Sequence, residues 1–331
     1  MDTVMNPIPA PGPRISVVIC TWNRGRLLRK TLEQMTRLII PPGAVWELVV
    51  VNNNSSDDTD SVLREFEGKL PVVRLFEPTA GKSYAANLAV REAKGEYIVW
   101  TDDDVLVEPD WLQAYVTAFA MWPDASVFGG AIDPWFEQTP PRWLEEVFRQ
   151  VEEAYAALDY GPTGLAMTHE SYPFGANMAL KRSAHLMQPF DTRLGPRPKS
   201  GIRGEETFLV ERLFSLGHTG RWVPEARVRH LIPAERHTLK YLEEYYSGFG
   251  EFLGVMTRNN SAGVRVFGRP LWLWKETLLS EVGYRLSRLS QPPTKWILEF
   301  KRAKLARGRL RIPVSGPSSH VRVADHSVGS A

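Results

Sequence analysis

The chain has 331 residues, of which 43% are hydrophobic and 24% charged, with a formal net charge of +2. That length carries one large domain or two around a sizeable core, and the near-neutral balance gives no global case for nucleic acid. The lone cysteine, Cys20, excludes a disulfide framework and a cysteine-based zinc site, and nowhere do eighteen apolar residues run together as a membrane span requires.

The Pro-rich leader, residues 1–13, has neither the charged start nor the apolar middle of a signal peptide and is expected to be disordered. Ile15–Cys20 reads as a short apolar strand, and Leu27, Leu28, Leu32, Met35 and Leu38 then mark one face of a helix. Trp46–Val51 is a second strand, closed by the cluster Asn52–Asp58, which also caps a helix over Thr59–Phe66. Val72–Phe76 gives a third strand, and a helix over Ser83–Lys94 ends at Gly95. The fourth strand runs through Glu96–Trp100 into Asp102-Asp103-Asp104; a helix over Pro109–Met121 and a fifth strand over Ser126–Ile132 follow.

Strands alternating with helices at this spacing predict a mostly parallel, Rossmann-like sheet, whose ligands bind beyond the carboxyl ends of the strands. The polar clusters Thr21–Arg24, Asn52–Asp57 and Asp102–Asp104 all fall at those ends. Past Ile132 the alternation stops. Trp143–Leu158, Glu205–Leu216 and Leu239–Phe252 read as helices, and Tyr172–Lys181 and Ala226–His230 as extended. Residues 14–252 are expected to form one domain, 253–312 a helical extension and 313–331 a disordered Ser/Gly-rich tail.

Three adjacent carboxylates repel one another and are tolerable where a cation sits among them; oxygen ligands suit Mg²⁺ or Mn²⁺. Successive side chains of a strand alternate faces, so Asp102 and Asp104 are expected to point to one side and Asp103 to the other. Gly81-Lys82-Ser83 is not a P-loop, because Phe76 stands where that motif needs glycine. No G-x-G-x-x-G follows the first strand, against a dinucleotide-dependent dehydrogenase, and the single glycine of Thr21–Arg26 weakens a nucleotidyltransferase reading.

The ordered motifs Cys20-Thr-Trp-Asn-Arg24, Val49-Val-Val-Asn52-Asn-Asn-Ser-Ser-Asp57 and Thr101-Asp-Asp-Asp104 resemble those of family 2 glycosyltransferases. Phe174-Gly-Ala-Asn177, Gly204-Glu-Glu206 and Val228-Arg-His230 extend the resemblance, which covers about residues 14–245. It implies a GT-A fold, a nucleotide-sugar donor, most simply a UDP-sugar, a Mn²⁺ or Mg²⁺ ion and inversion at the anomeric carbon. By the same resemblance Asp104 is a direct metal ligand, and Asp102 contacts the ribose or the ion's water shell. His230 supplies a nitrogen ligand or a phosphate contact. Arg236 would clamp the diphosphate, as a guanidinium fork suits phosphate oxygens.

An inverting transfer needs a general base for the acceptor hydroxyl. The family's motif places it at Glu206, with Glu205 the alternative. Asn52 would meet the nucleotide base through its amide, with Thr21, Asn23, Arg24 and Asn54 around it. Lys82 and Asn87 would lie between nucleotide and acids, Asp103 would be the least important of its triplet, and Gly175 and Asn177 would border the sugar. The acceptor is expected to be a saccharide or a lipid-linked molecule, and the setting cytoplasmic. A non-catalytic nucleotide-sugar-binding or membrane-associated assembly protein is the rival from another class. Intact Asp102, Asp104, Glu206 and His230 speak against it. The aromatic and basic C-terminal segment has two readings, a packed extension with a solvated basic face or a peripheral contact with anionic lipid.

Overall fold

The structure, a computed structural model, describes residues 14–198, 200–256 and 264–311. The leader 1–13 and the tail 313–331 lie outside the described residues.

The first half alternates as the sequence pattern requires. Strand β1 (Arg14–Thr21) leads to helix α1 (Gly25–Met35), β2 (Val45–Asn52) to α2 (Thr59–Phe66), and β3 (Val72–Phe76) to α3 (Lys82–Glu92). Next come β4 (Tyr97–Trp100), a short β5 (Val105–Val107), α4 (Trp111–Met121) and β6 (Val127–Phe136). The second half holds α5 (Arg142–Val151), β7 (Ala166–Met167), β8 (Met178–Lys181), α6 (Arg182–Met187), α7 (Glu205–Ser215) and β9 (Gly220–Ile232). Helix α8 (Leu239–Met256), the hairpin β10 (Arg265–Val266) and β11 (Arg269–Pro270), α9 (Leu271–Ser290) and α10 (Pro293–Arg311) complete the described chain.

Among the described residues one large sheet has the order β3-β2-β1-β4-β8-β6-β9-β5, with β7 on β9. Pairing is parallel along β3-β2-β1-β4 and between β6 and β9, whereas β8 runs antiparallel to both its neighbours. The apolar runs of β1 and β2 make sense in this setting, because both faces of a parallel sheet are covered. Val17, Ile19, Leu48 and Val50 pack on one face with Leu28, Leu32, Leu63 and Trp111 from α1, α2 and α4. Val18, Val49 and Val51 pack on the other with the alanines of α3 and with Leu209 and Leu213 of α7.

A third apolar cluster joins α5, α8, α9 and α10 through Leu144, Val147, Leu242, Tyr246, Tyr284, Ile297 and Phe300. Helices α8 and α10 touch backbone to backbone: a Cβ on Gly308 would lie 2.1 Å from the Ser247 carbonyl oxygen. The expected boundary at residue 252 therefore falls inside α8, and the C-terminal helices share a core with α5 and α8.

Two local expectations change. Tyr172–Lys181 is extended only from Met178, since residues 175–177 form a 3-10 turn. Strand β4 ends at Trp100, and residues 101–104 are a turn crossing to β5. The alternation of a strand therefore does not govern the acid triplet.

Candidate active site

The turn after β4, the turn after β1 and the start of α7 open onto one cleft of about 840 Å³, within the usual range for a bound small molecule. Thr21, Arg24, Lys82, the three aspartates, Gly175, Glu205, Glu206, His230 and Arg236 line it.

Pairing of β5 with β9 sets Val105 opposite His230, and the Leu231 amide donates to the Asp104 carbonyl oxygen at 2.8 Å. That register brings the His230 ring to Asp104, with Nε2 3.4 Å from Oδ1. The other oxygen of Asp104 receives Arg236 Nη2 at 2.7 Å and Arg24 Nη1 at 3.1 Å. Burial works against ionisation of Asp104, but the guanidinium cations of Arg236 and Arg24 hold its carboxyl well below the usual range. His230 Nδ1 lies 2.5 Å from the Tyr155 carbonyl oxygen, which can only accept, so Nδ1 carries the proton. Arg236 Nη1, which can only donate, faces Nε2 at 3.1 Å, so the lone pair of that nitrogen points toward Asp104 and the guanidinium.

Asp103 is not turned away. It is buried, receives Thr21 Oγ1 and Arg24 Nη1, each at 2.8 Å, and thereby ties the end of β1 to the triplet. Asp102 takes a separate direction, to Lys82 at 3.2 Å. Asp102, Asp104 and His230 accordingly do not form one ligand cluster, and no group of three His, Cys, Asp or Glu side chains among the described residues is arranged to hold a metal. The chemistry of the remaining pair does fit a divalent cation. A carboxylate oxygen and an imidazole lone pair face each other, and both are now met by guanidinium cations.

The same Lys82 Nζ donates to Glu206 Oε1 at 2.7 Å and lies 3.7 Å from Glu205. Burial opposes the charge on Lys82, but Asp102, Glu206 and Glu205 together hold it well above its ordinary value. The two glutamates differ. Glu205 is buried, and burial with the neighbouring Glu206 pushes it up to about 8 against the pull of Lys82. Glu206 reaches the cleft, its carboxylate seated against Gly175, where a Cβ would stand 2.3 Å from Oε1.

The five asparagines expected at the site do not line it. Asn177 is fully buried, receiving Trp111 Nε1 and Tyr115 Oη and donating to the carbonyls of Ala131 and Ala226, so it is a core hub rather than a sugar contact. Asn87 both donates to and accepts from the Phe190 backbone. Asn52 accepts from the Ser55 amide and donates to Asp60. Asn23, at φ +52°, accepts from the Ser56 amide, and Asn54, at φ +60°, donates to the Pro78 carbonyl. Their amides serve backbone turns. Trp22 and Asn53, which the sequence reading passed over, line the cleft instead; Asn53 joins two loops by accepting from the Gly81 amide and donating to Glu77 and Thr79 carbonyls. The far half of the cleft is also new: Tyr172 from the segment after β7, Arg203 from the loop before α7, Tyr245, Phe249 and Met256 of α8 and Leu305 of α10 wall it.

Residues 16–185 match the family described as glycosyl transferase family 2. A glucosyl-dolichyl phosphate glucuronosyltransferase of Haloferax volcanii is 26% identical over 249 residues, 72% of this chain and 76% of its own. A succinoglycan biosynthesis protein of Rhizobium meliloti is 25% identical over 76% of this chain and 77% of its own. Among solved structures, a mannosyltransferase of Pyrobaculum calidifontis, in complex with GDP-Man and Mn²⁺, superposes with a TM-score of 0.58 at 20% identity, covering 94% of this chain and 90% of that one. The fold is accordingly GT-A. Glu206, His230 and Arg236 lie beyond the matched residues.

Proposed function

The chain belongs to glycosyl transferase family 2 and is a glycosyltransferase, and on that premise we propose that it transfers a sugar from a nucleoside diphosphate donor, with inversion, to a hydroxyl of a saccharide or lipid-linked acceptor. One observation carries the reading: the Asp104–His230 pair, its two arginines and Glu206 line a single cleft. Arg24 and Arg236 offer guanidinium forks to diphosphate oxygens. Glu206 takes the proton of the acceptor hydroxyl as that oxygen bonds to the anomeric carbon and the carbon–phosphate-oxygen bond breaks, releasing the nucleoside diphosphate. Lys82 orients the base by its hydrogen bond to Oε1. Asp104 and His230 would hold a Mn²⁺ or Mg²⁺ ion, which as a Lewis acid would neutralise charge on the leaving diphosphate.

Glu205, buried and raised toward neutrality, supports the helix start, which leaves Glu206 as the base. The preference for uracil loses its residue basis, because Asn52 faces Ser55 and Asp60. The donor class is therefore a nucleoside diphosphate sugar, in keeping with neighbours of the same fold bound to GDP-Man in one case and UDP in another. Thermal melts against a panel of nucleotide-sugars, with and without Mn²⁺, test it. At least one should raise the midpoint as ligand exceeds its Kd, and a panel without any stabilising member would overturn the proposal.

A further inference from the structure

Helix α9 reverses the pattern of an ordinary surface helix. The side it turns to its neighbours is made of Leu273, Ser280, Tyr284 and Ser287. Its outer side carries Leu271, Trp272, Leu278, Leu279, Leu286 and Leu289, with Leu278 66% and Leu289 87% exposed. At about 100° per residue the exposed apolar positions, Trp274 and Val282 included, span an arc of roughly 160°. Phe267, at the tip of the β10–β11 hairpin and 90% exposed, continues that face, its ring 6.3 Å from that of Trp274. A contiguous apolar surface of this extent marks an interaction site.

The charges are sorted as well. Both acids of α9 turn toward α10, Glu281 to Lys304 at 2.9 Å and Glu276 to Arg309 at 3.8 Å. The exposed charges of α9 are Lys275, Arg285 and Arg288, all basic. An isologous dimer through this face would set like charges against each other. Outside the described residues, 257–263 has no large apolar side chain, and neither 1–13 nor 312–331 has a leucine, phenylalanine, tyrosine or tryptophan. No described helix is long and apolar enough to cross a membrane, and five charged residues interrupt α9.

We propose that α9 and the tip of the β10–β11 hairpin lie in the headgroup region of a bilayer containing anionic phospholipid, apolar face down. Leucines and tryptophans on one face with basic residues among them are the composition of a helix that rests on a membrane, and aromatic rings favour that interface. The basic helix α10 has a different role. Trp296, Ile297 and Phe300 bury it against the body, and Arg307 pairs with Glu243. Arg309 lines the cleft and pairs with α9, so the far end of the cleft lies beside the docked helix.

Flotation of the full chain with vesicles of phosphatidylcholine alone and with phosphatidylglycerol added tests the proposal. The wild type should float with the anionic vesicles, and Leu279→Asp/Leu286→Asp should reduce the floating fraction at least ~10-fold. Lys275→Glu/Arg285→Glu, which keeps the apolar face intact, should lose roughly tenfold in preference for anionic over neutral vesicles; it carries the test if the first variant does not fold. Wild-type protein that stays down with anionic vesicles, or leucine variants that fold and float equally well, would overturn the proposal. So would sedimentation showing a wild-type dimer that the leucine variant dissociates, without vesicle binding.

Discussion

Gly175 and Glu206 share one small volume. A Cβ on the glycine would come within 2.3 Å of Oε1, 2.7 Å of Cδ and 2.9 Å of Cγ of the glutamate, so the bare Cα gives the carboxylate its seat. The second hold on that carboxylate is Lys82.

Gly175→Ala should push Glu206 out of position. Misplacing a reacting group by about 1 Å costs on the order of 10²-fold, so kcat should fall by about that factor while nucleotide affinity and the melting midpoint hardly change. Steady-state rates beside a calorimetric Kd check it; an unchanged kcat would remove the seat from the mechanism.

Asn177→Ala should act on the fold instead. Its amide satisfies Trp111, Tyr115 and two carbonyls inside the core, and each buried group left unpaired costs about 1–3 kcal/mol. Denaturant unfolding should show a loss of several kcal/mol, on the order of 4. Protein that remains folded should bind nucleotide as the wild type does. Selective loss of donor affinity at unchanged stability would restore it to the sugar site.

The strand–helix alternation up to β6 was legible because 2.0 and 3.6 residue periods and turn chemistry are local properties. The charged members of the site were legible too: Asp102–Asp104, Lys82, Glu205, Glu206, His230 and Arg236 all reach one cleft. The asparagines were not. An amide carries both donor and acceptor, so Asn52, Asn87 and Asn177 serve a neighbouring peptide as readily as a ligand, and only the loop path decides. The orientation of Asp103 was missed because β4 stops two residues before the triplet. The aromatic half of the cleft arises where α8 meets α10, about fifty residues apart in the chain, a pairing that no local pattern announces.

Glu205 predicts a pH dependence of stability. Its folded value of about 8 stands above the ordinary 4.5, so between those values the folded chain holds a proton that the unfolded chain has released. Stability therefore declines as pH rises through this window. Glu205→Gln, which mimics the neutral form, should lack that contribution, so its melting midpoint should gain on the wild type from pH 5 to pH 8. A constant difference between the two would contradict the assignment of Glu205 as a protonated, structural side chain.

Asp104→Asn should weaken the metal-dependent part of nucleotide binding, since it removes the carboxylate charge while keeping the shape. Titration of a nucleoside diphosphate with and without Mn²⁺ should show the Mn²⁺ enhancement of wild-type affinity cut at least ~10-fold in the variant. Equal enhancement in both proteins would take Asp104 out of the cation site.

Glu206 is proposed to deprotonate the attacking hydroxyl at a nucleotide-sugar site. Release of nucleoside diphosphate from the donor that stabilises the protein, with water or an added saccharide as acceptor, measures it without knowledge of the natural acceptor. Glu206→Gln should bind that donor with unchanged affinity and release the diphosphate ~10²–10⁴-fold more slowly. Equal release rates in the wild type and the variant would contradict the account.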